Sequence, residues 1–208
     1  MTGRDVLVAT RSPGKMRELR PLLEGAGFTV VDLATFGLPE EPEEQGIECH
    51  DTFEANALAK ARYFYEVSGG IATVADDSGL EVYALGGAPG VRSKRFSGRD
   101  DLSGEALDAA NNAALLAALS RTDDRRARYV CAAAFVAHDE EVIERGESAG
   151  RIIDAPRGVG GFGYDPYFES AELERRTFAE VGVSEKEAVS HRGRAFRALL
   201  TALERVGG

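Results

Sequence analysis

The chain delivers an apolar run straight into a helix start, and this feature restricts its fold most. DVLVAT (residues 5–10) reads as a buried strand, and RSPGK (11–15) follows without a spacer. Ser12 suits an N-cap and Pro13 the first helical position. Met16, Leu19, Leu22 and Leu23 then recur at helical spacing. A short apolar strand feeding a helix belongs to α/β architecture, in which helices cover the faces of a sheet. Pro21 inside the stripe predicts a kinked or shortened helix, ended by Gly25 or Gly27. FTVVDL (28–33) reads as the next strand.

The rest of the chain repeats and varies this theme. Residues 35–50 are polar and rich in Pro, Glu and Gly, which predicts an exposed loop. A helix is expected over 51–67, capped by Asp51 or Thr52. IATVA (71–75) reads as a strand running into Asp76-Asp77, and LEVYAL (80–85) as a separate short one. A Gly/Pro-rich connection leads to an Ala/Leu helix over 102–119. ARYVCAAAFVA and EVIERGESAGRIID bracket the turn HDEE and predict a β-hairpin. Ser184-x-x-Glu187 fits a capping box, with a helix from there to about 206. The expected fold is α/β, a mixed central sheet flanked by helices on both faces, in one domain over 1–208.

Composition excludes several classes. No apolar run approaches the roughly 20 residues of a membrane span, and the N-terminus lacks a signal-peptide layout. The two cysteines, Cys49 and Cys131, fit no zinc spacing and no disulfide framework. Cys131 reads as a small core residue, and the cytoplasm is the expected compartment. The net charge of −10 argues against a nucleic acid polymer as partner, since that needs a basic face. A small anion needs only a local basic site.

Four segments carry candidate chemistry. Thr10 to Lys15 combines a strand end, a tight turn and a helix N-terminus, a geometry that binds phosphate. It is not a Walker A loop: Ala9 stands where that motif needs its first Gly, and Met16 where it needs Ser or Thr. Asp76-Asp77-Ser78-Gly79 sets two acids after a buried strand; Gly79 predicts that the strand ends there. Carboxylates at such an edge suit Mg²⁺. GVGGFGYDP (158–166) contains a formal G-x-G-x-x-G at Gly158, Gly160 and Gly163. Asp165-Pro166 follows where a helix should open, so the dinucleotide reading fails. A loop presenting Phe162 to a flat ligand fits better. In EKEAVSHRGRA (185–195), Lys186, His191 and Arg192 cluster near helix starts, where the dipole disfavours cations unless an anion binds. Singly, each segment has a plain structural account: a capped helix with a solvated Lys, a polar turn, a glycine turn, a basic face. Together they describe a nucleoside triphosphate site.

In this order, ADDSGLEVYALGGAPGVRSKRFSG, GGFGYDPYF and SHRG resemble the inosine triphosphate pyrophosphatase family, whose members remove non-canonical purine nucleotides. PEEQG (42–46) resembles its acidic loop. The resemblance covers nearly the whole chain and implies an ITPase-like α/β/α fold with a β-hairpin-containing lobe. It implies hydrolysis of dITP, ITP and XTP to the monophosphate and pyrophosphate, with Mg²⁺ as cofactor and a homodimer as the assembly. Thr10, Arg11, Ser12, Pro13, Gly14 and Lys15 would hold the phosphates, approached also by Lys60. Asp77 would be proton acceptor and metal ligand, with Asp76 assisting and Glu43, or its neighbour Glu44, as the second metal carboxylate. Ser78 would touch substrate. Phe162, Gly163, Tyr164 and Asp165 would hold the base, with Lys186, His191 and Arg192 completing the base and phosphate pocket. The family pattern before the helix is Thr-Gly-Asn; this chain has Thr10-Arg11-Ser12. Maf-like nucleotide pyrophosphatases, a nucleotide sensor without catalysis and a dinucleotide-dependent oxidoreductase are the competing readings.

Overall fold

The computed structural model describes residues 4–206. Six strands form one sheet in the order β2-β1-β3-β4-β5-β6: β1 (Arg4–Val8), β2 (Phe28–Asp32), β3 (Thr73–Val82), β4 (Arg126–Ala137), β5 (Glu140–Ile152) and β6 (Phe168–Ser170). β1 runs parallel to both β2 and β3, whereas β5 and β6 are antiparallel. The sheet is therefore mixed, as the alternation of βα units with a hairpin predicts. The helices are α1 (Pro13–Gly25), α2 (Leu33–Phe36), α3 (Phe53–Val67), α4 (Gly104–Ala118), α5 (Val183–Val189) and α6 (His191–Val206).

The chain divides into two compact units. The first takes the residues up to Asp77, Cys131–Gly146 and the residues from Arg192 on; the second takes Ser78–Val130 and Glu147–His191. The first unit buries Val6, Val8, Leu19, Leu23, Val30, Val74, Phe135, Phe196 and Leu199 in one cluster, with Cys131 among them. The second has its own core of Leu80, Val82, Leu115, Leu119, Tyr129, Ile152, Phe168 and Phe178. The expected apolar stripe of α1 is the face that packs: Leu19 and Leu23 are buried, and Met16 and Leu22 lie against them.

Several local expectations change. α1 continues through Pro21 to Gly25. A helix-interior Pro costs about 3 kcal/mol; burying Leu19 and Leu23 on either side contributes about 2 kcal/mol each and holds the helix together. Residues 35–50 are not all loop, since α2 ends within them and a 3₁₀ turn forms at Pro42–Gly46. β3 does not stop at Asp77. It runs unbroken through Ser78 and Gly79 to Val82, beside β4 in the sheet, and past the end of β1 its Leu80 and Val82 amides donate to the Ser93 hydroxyl and the Ala88 carbonyl. The capping box expected at Ser184 is absent: Gly182 is the N-cap of α5, and Ser184 sits within its first turn. A capping box forms instead at Thr177 and Glu180. The single C-terminal helix is two, broken at Ser190, whose backbone is extended (φ −73°, ψ 154°).

Candidate active site

The parallel pairing of β1 with β3 brings two predicted segments to one sheet edge. Val8 registers with Val74, and the Ala9 amide donates to the Val74 carbonyl at 2.8 Å. The turn after β1 therefore lies beside the Asp76 position within β3, at the carboxyl end of β1, where α/β sheets bind ligands. Ser12 caps α1, accepting from the Lys15 amide at 3.3 Å, and the Ser12 amide donates to the Thr10 hydroxyl at 3.2 Å.

Neighbouring residues of a strand face opposite sides, and Asp76 and Asp77 meet different partners. Asp76 is fully buried. Its Oδ2 lies 3.0 Å from Lys15 Nζ and 3.1 Å from Arg192 Nε. Arg192 also binds Glu18. Lys60 donates to the Asp76 carbonyl and pairs with Glu48 at 2.5 Å. Asp77 Oδ2 accepts from Asn56 Nδ2 at 2.9 Å. Lys15, Lys60 and Arg192 thus share one centre with Glu18, Glu48, Asp76 and Asp77.

The two aspartates are set apart electrostatically. Burial opposes ionisation of Asp76, but Lys15, Arg192 and Lys60 outweigh it and hold the carboxyl well below its ordinary range. Burial and then the negative charge of Glu48 push Asp77 up to about 6; Lys15, Lys60 and the Asn56 hydrogen bond offset this only in part. Glu48 stays ionised: burial raises its pKa, and Lys60 and Lys15 lower it further than burial raises it. Lys60 keeps its charge for the complementary reason, since Glu48 and Asp76 outweigh its burial. Divergent pKa values in neighbouring carboxyls mark an acid–base centre.

This centre also bears on Mg²⁺. Glu48 and Asp77 are close enough for one charge to penalise the other, a repulsion that a divalent cation removes. Asp76 Oδ1 is buried and accepts no hydrogen bond among the described residues. Hard carboxylate oxygens fit Mg²⁺, which takes one or two carboxylates and fills its shell with waters and phosphate oxygens. No group of three or more His, Cys, Asp or Glu arranged to hold a metal is found among the described residues.

The second unit gathers the predicted base-binding residues. Lys186 Nζ lies 2.5 Å from Asp165 Oδ2, which also accepts the Phe162 amide at 2.9 Å. The Tyr129 hydroxyl is 3.3 Å from Asp165 Oδ1. The Lys186 ammonium stands 5.0 Å from the Phe162 ring centroid and 5.3 Å from that of Phe178. His191 stacks on Tyr129, with centroids 4.5 Å apart and planes 6° from parallel. The loop is rigidly held. The Gly163 amide donates to Asp108 at 2.8 Å, and Asn112 donates to the Gly163 carbonyl at 2.9 Å. The Tyr164 hydroxyl donates to the Ser93 carbonyl at 2.8 Å. Gly161 has φ +71°, and a Cβ there would come 2.3 Å from the Asp165 carboxylate, so that position admits only glycine.

Thr10, Ser12, Pro13, Gly14, Lys15, Lys60, Asp76, Asp77 and Arg192 thus belong to the first unit, and Ser78, Phe162, Gly163, Tyr164, Asp165, Lys186 and His191 to the second. Three of the predicted positions have partners of their own or lie at the surface. Glu43 is exposed on its 3₁₀ turn, and Glu44 pairs with Arg11 at 2.6 Å; the acid that faces Asp77 is Glu48. Arg11 donates to Glu44 and to the Leu38 and Pro39 carbonyls. Arg192 is locked between Asp76 and Glu18. Sequence reasoning missed Glu48, Asn56, Glu18, Tyr129, Asp108 and Asn112. One signal was legible: Asn56 and Lys60, four apart, interrupt the stripe of Phe53, Ala57, Ala61 and Phe64 that α3 buries.

Fold and clusters together define an α/β protein with a carboxylate–lysine centre in one unit and a cation–aromatic cluster in the other. The Ham1 family model matches residues 6–202. The dITP/XTP pyrophosphatase of Mycolicibacterium paratuberculosis is 50% identical over 201 residues, covering 96% of this chain and 95% of its own. That of Mycobacterium tuberculosis is 52% identical over 204 residues, covering 95% and 94%. The solved structure of a HAM1 protein from Coxiella burnetii superimposes with a TM-score of 0.80 at 34% identity, over 97% of this chain and 98% of that one. The chain belongs to the Ham1 family.

Proposed function

We propose that this chain hydrolyses non-canonical purine nucleoside triphosphates, dITP, ITP and XTP, to the monophosphate and pyrophosphate. The observation that carries the reading is Asp77: a buried carboxyl beside Glu48, lifted to about 6, in a chain half identical to dITP/XTP pyrophosphatases. Asp77 is the base that takes a proton from the attacking water as the α–β anhydride bond breaks. Without metal that carboxyl titrates near 6, and at neutral pH it is ionised, as a base must be. Lys15 and Lys60 stabilise the charge that develops on the phosphate oxygens, aided by the N-terminal turn of α1 at Thr10 to Lys15. Asp76, itself bound by Arg192, holds Lys15 in place. Asp77 and Glu48 would hold Mg²⁺, which would supply further neutralisation of the phosphates and lower the pKa of water.

Phe162 offers its ring to the purine, and Asp165 fixes both the Phe162 amide and Lys186. Lys186 carries three N–H donors and no acceptor. It matches the 6-oxo acceptor that hypoxanthine, xanthine and guanine share and opposes the 6-amino donor of adenine, a polar mismatch that discriminates strongly; guanine has to be excluded at its 2-amino group. The same reading takes residues 1–208 as one nucleotide pyrophosphatase domain, working as a cytoplasmic homodimer.

Pyrophosphate release from dITP, XTP, dGTP and ATP, with Mg²⁺ and with EDTA, tests the reading. Mg²⁺-dependent release from dITP and XTP, with dGTP and ATP much slower, is expected. No release from any of the four would overturn it and bring forward a nucleotide sensor.

A further inference from the structure

Arg11 stands at the first turn after β1, where a phosphate ligand is expected, yet its guanidinium is already engaged. Nε and Nη2 grip the Glu44 carboxylate at 3.1 and 2.6 Å, Nη1 donates to the Leu38 carbonyl at 2.9 Å, and Nη2 donates to the Pro39 carbonyl at 2.6 Å. The guanidinium carbon lies 5.7 Å from the ring centroid of buried Phe64 on α3. A forked Arg–carboxylate pair is the strong and geometrically specific form of ion pair, and the Glu44 side chain is largely buried. Glu44 Oε1 also accepts the Glu41 amide at 3.2 Å, which closes the 3₁₀ turn.

The segment held this way carries Glu48. Its far end is held independently: the His50 amide donates to Asn56 Oδ1 at 2.8 Å, and Asn56 Nδ2 donates back to the His50 carbonyl at 3.3 Å. The same Asn56 amide group reaches Asp77. Glu48 therefore lies between two anchors, Arg11 at residues 38–44 and Asn56 at residue 50. With the first released, Glu48 would keep its pair with Lys60, but the segment that carries it would be anchored only at the Asn56 end.

We infer that Arg11 is a positioning residue for the Glu48 carboxylate, acting through its latch with Glu44, and not a phosphate ligand. The inference rests on the reading of Glu48 and Asp77 as the metal carboxylates. Groups that orient a metal ligand are worth about tenfold or more in affinity.

The test is Mn²⁺ binding to the full-length protein without nucleotide, followed by electron paramagnetic resonance, beside the nucleotide KM at saturating Mg²⁺. Arg11→Ala and Glu44→Gln should each weaken Mn²⁺ binding about tenfold, and the double variant should lose no more than either alone. Arg11→Lys should not rescue, because an ammonium cannot grip both carboxylate oxygens. Glu44→Gln should leave the nucleotide KM at saturating Mg²⁺ within about twofold. If Arg11→Ala does not fold, Glu44→Gln carries the same comparison. A raised nucleotide KM in Arg11→Ala, with Mn²⁺ affinity unchanged and Glu44→Gln silent, makes Arg11 a phosphate ligand and overturns the inference. Equal Mn²⁺ binding by wild type and both variants removes the inference alone. A wild type that binds no Mn²⁺ removes the metal reading with it.

Discussion

Asp77 carries the sharpest consequence at the scale of single residues. Its carboxyl is raised from the ordinary 3.8 to about 6, so the folded chain binds that proton more tightly than the unfolded chain does. Stability is then unaffected by this group below about pH 4 and falls as pH rises toward 6, where the native protein must hold a buried charge beside Glu48. A shift of about two units corresponds to about 3 kcal/mol. Asp77→Asn should therefore melt higher than wild type at pH 8 in EDTA, by on the order of 2 kcal/mol, and the two should converge near pH 4. The same variant should lose at least about a hundredfold in turnover. A variant that is slower but no more stable at pH 8 would mean that Asp77 is not strained by its surroundings. Asp76, one residue away, should behave oppositely: with Lys15 and Arg192 on its carboxylate, removing it leaves buried cations uncompensated and destabilises the fold.

At the scale of elements, α4 acts as a brace for the glycine loop. Asp108 and Asn112, one turn apart on one helix face, take the amide and the carbonyl of Gly163 respectively. Asp108→Ala releases one of these bonds without touching Phe162, Asp165 or Lys186. The expected result is loss of hydrogen-exchange protection at the Gly163 amide and a several-fold rise in nucleotide KM, with kcat changed little. Unchanged exchange at Gly163 would show that the Asn112 bond suffices. The break at Ser190 is a second element-scale device. It starts α6 at His191, so that His191 stacks on Tyr129 while the next residue, Arg192, binds Asp76 and Glu18.

At the scale of the whole molecule, each compact unit has its own core and its own charged cluster, and β3, β4 and β5 each supply residues to both. No described helix is long and apolar enough to cross a membrane. The assembly proposed is a homodimer, so light scattering should give twice the mass of one chain at micromolar concentration; the mass of a single chain would remove that part of the reading.

Much was legible in the residues alone. The DVLVAT run and the Ser12-Pro13 cap determined the first βα unit, because apolar periodicity and capping chemistry act within a few residues. The Lys15, Asp76-Asp77, Phe162–Asp165 and Lys186–Arg192 segments were visible for the same local reason. Partners distant in the chain were not. Glu48 rather than Glu43 faces Asp77, Arg11 grips Glu44, and Glu18 meets Arg192 from 174 residues away. The extension of β3 through Gly79 and the survival of α1 past Pro21 also escaped local signals. Tertiary structure decided these points, because strand pairing with β4 and burial of Leu19 and Leu23 outweigh the propensity of one glycine or proline. Charge placement followed the same rule: whether Asp76 or Asp77 keeps its proton depends on burial and on which cations the fold brings near.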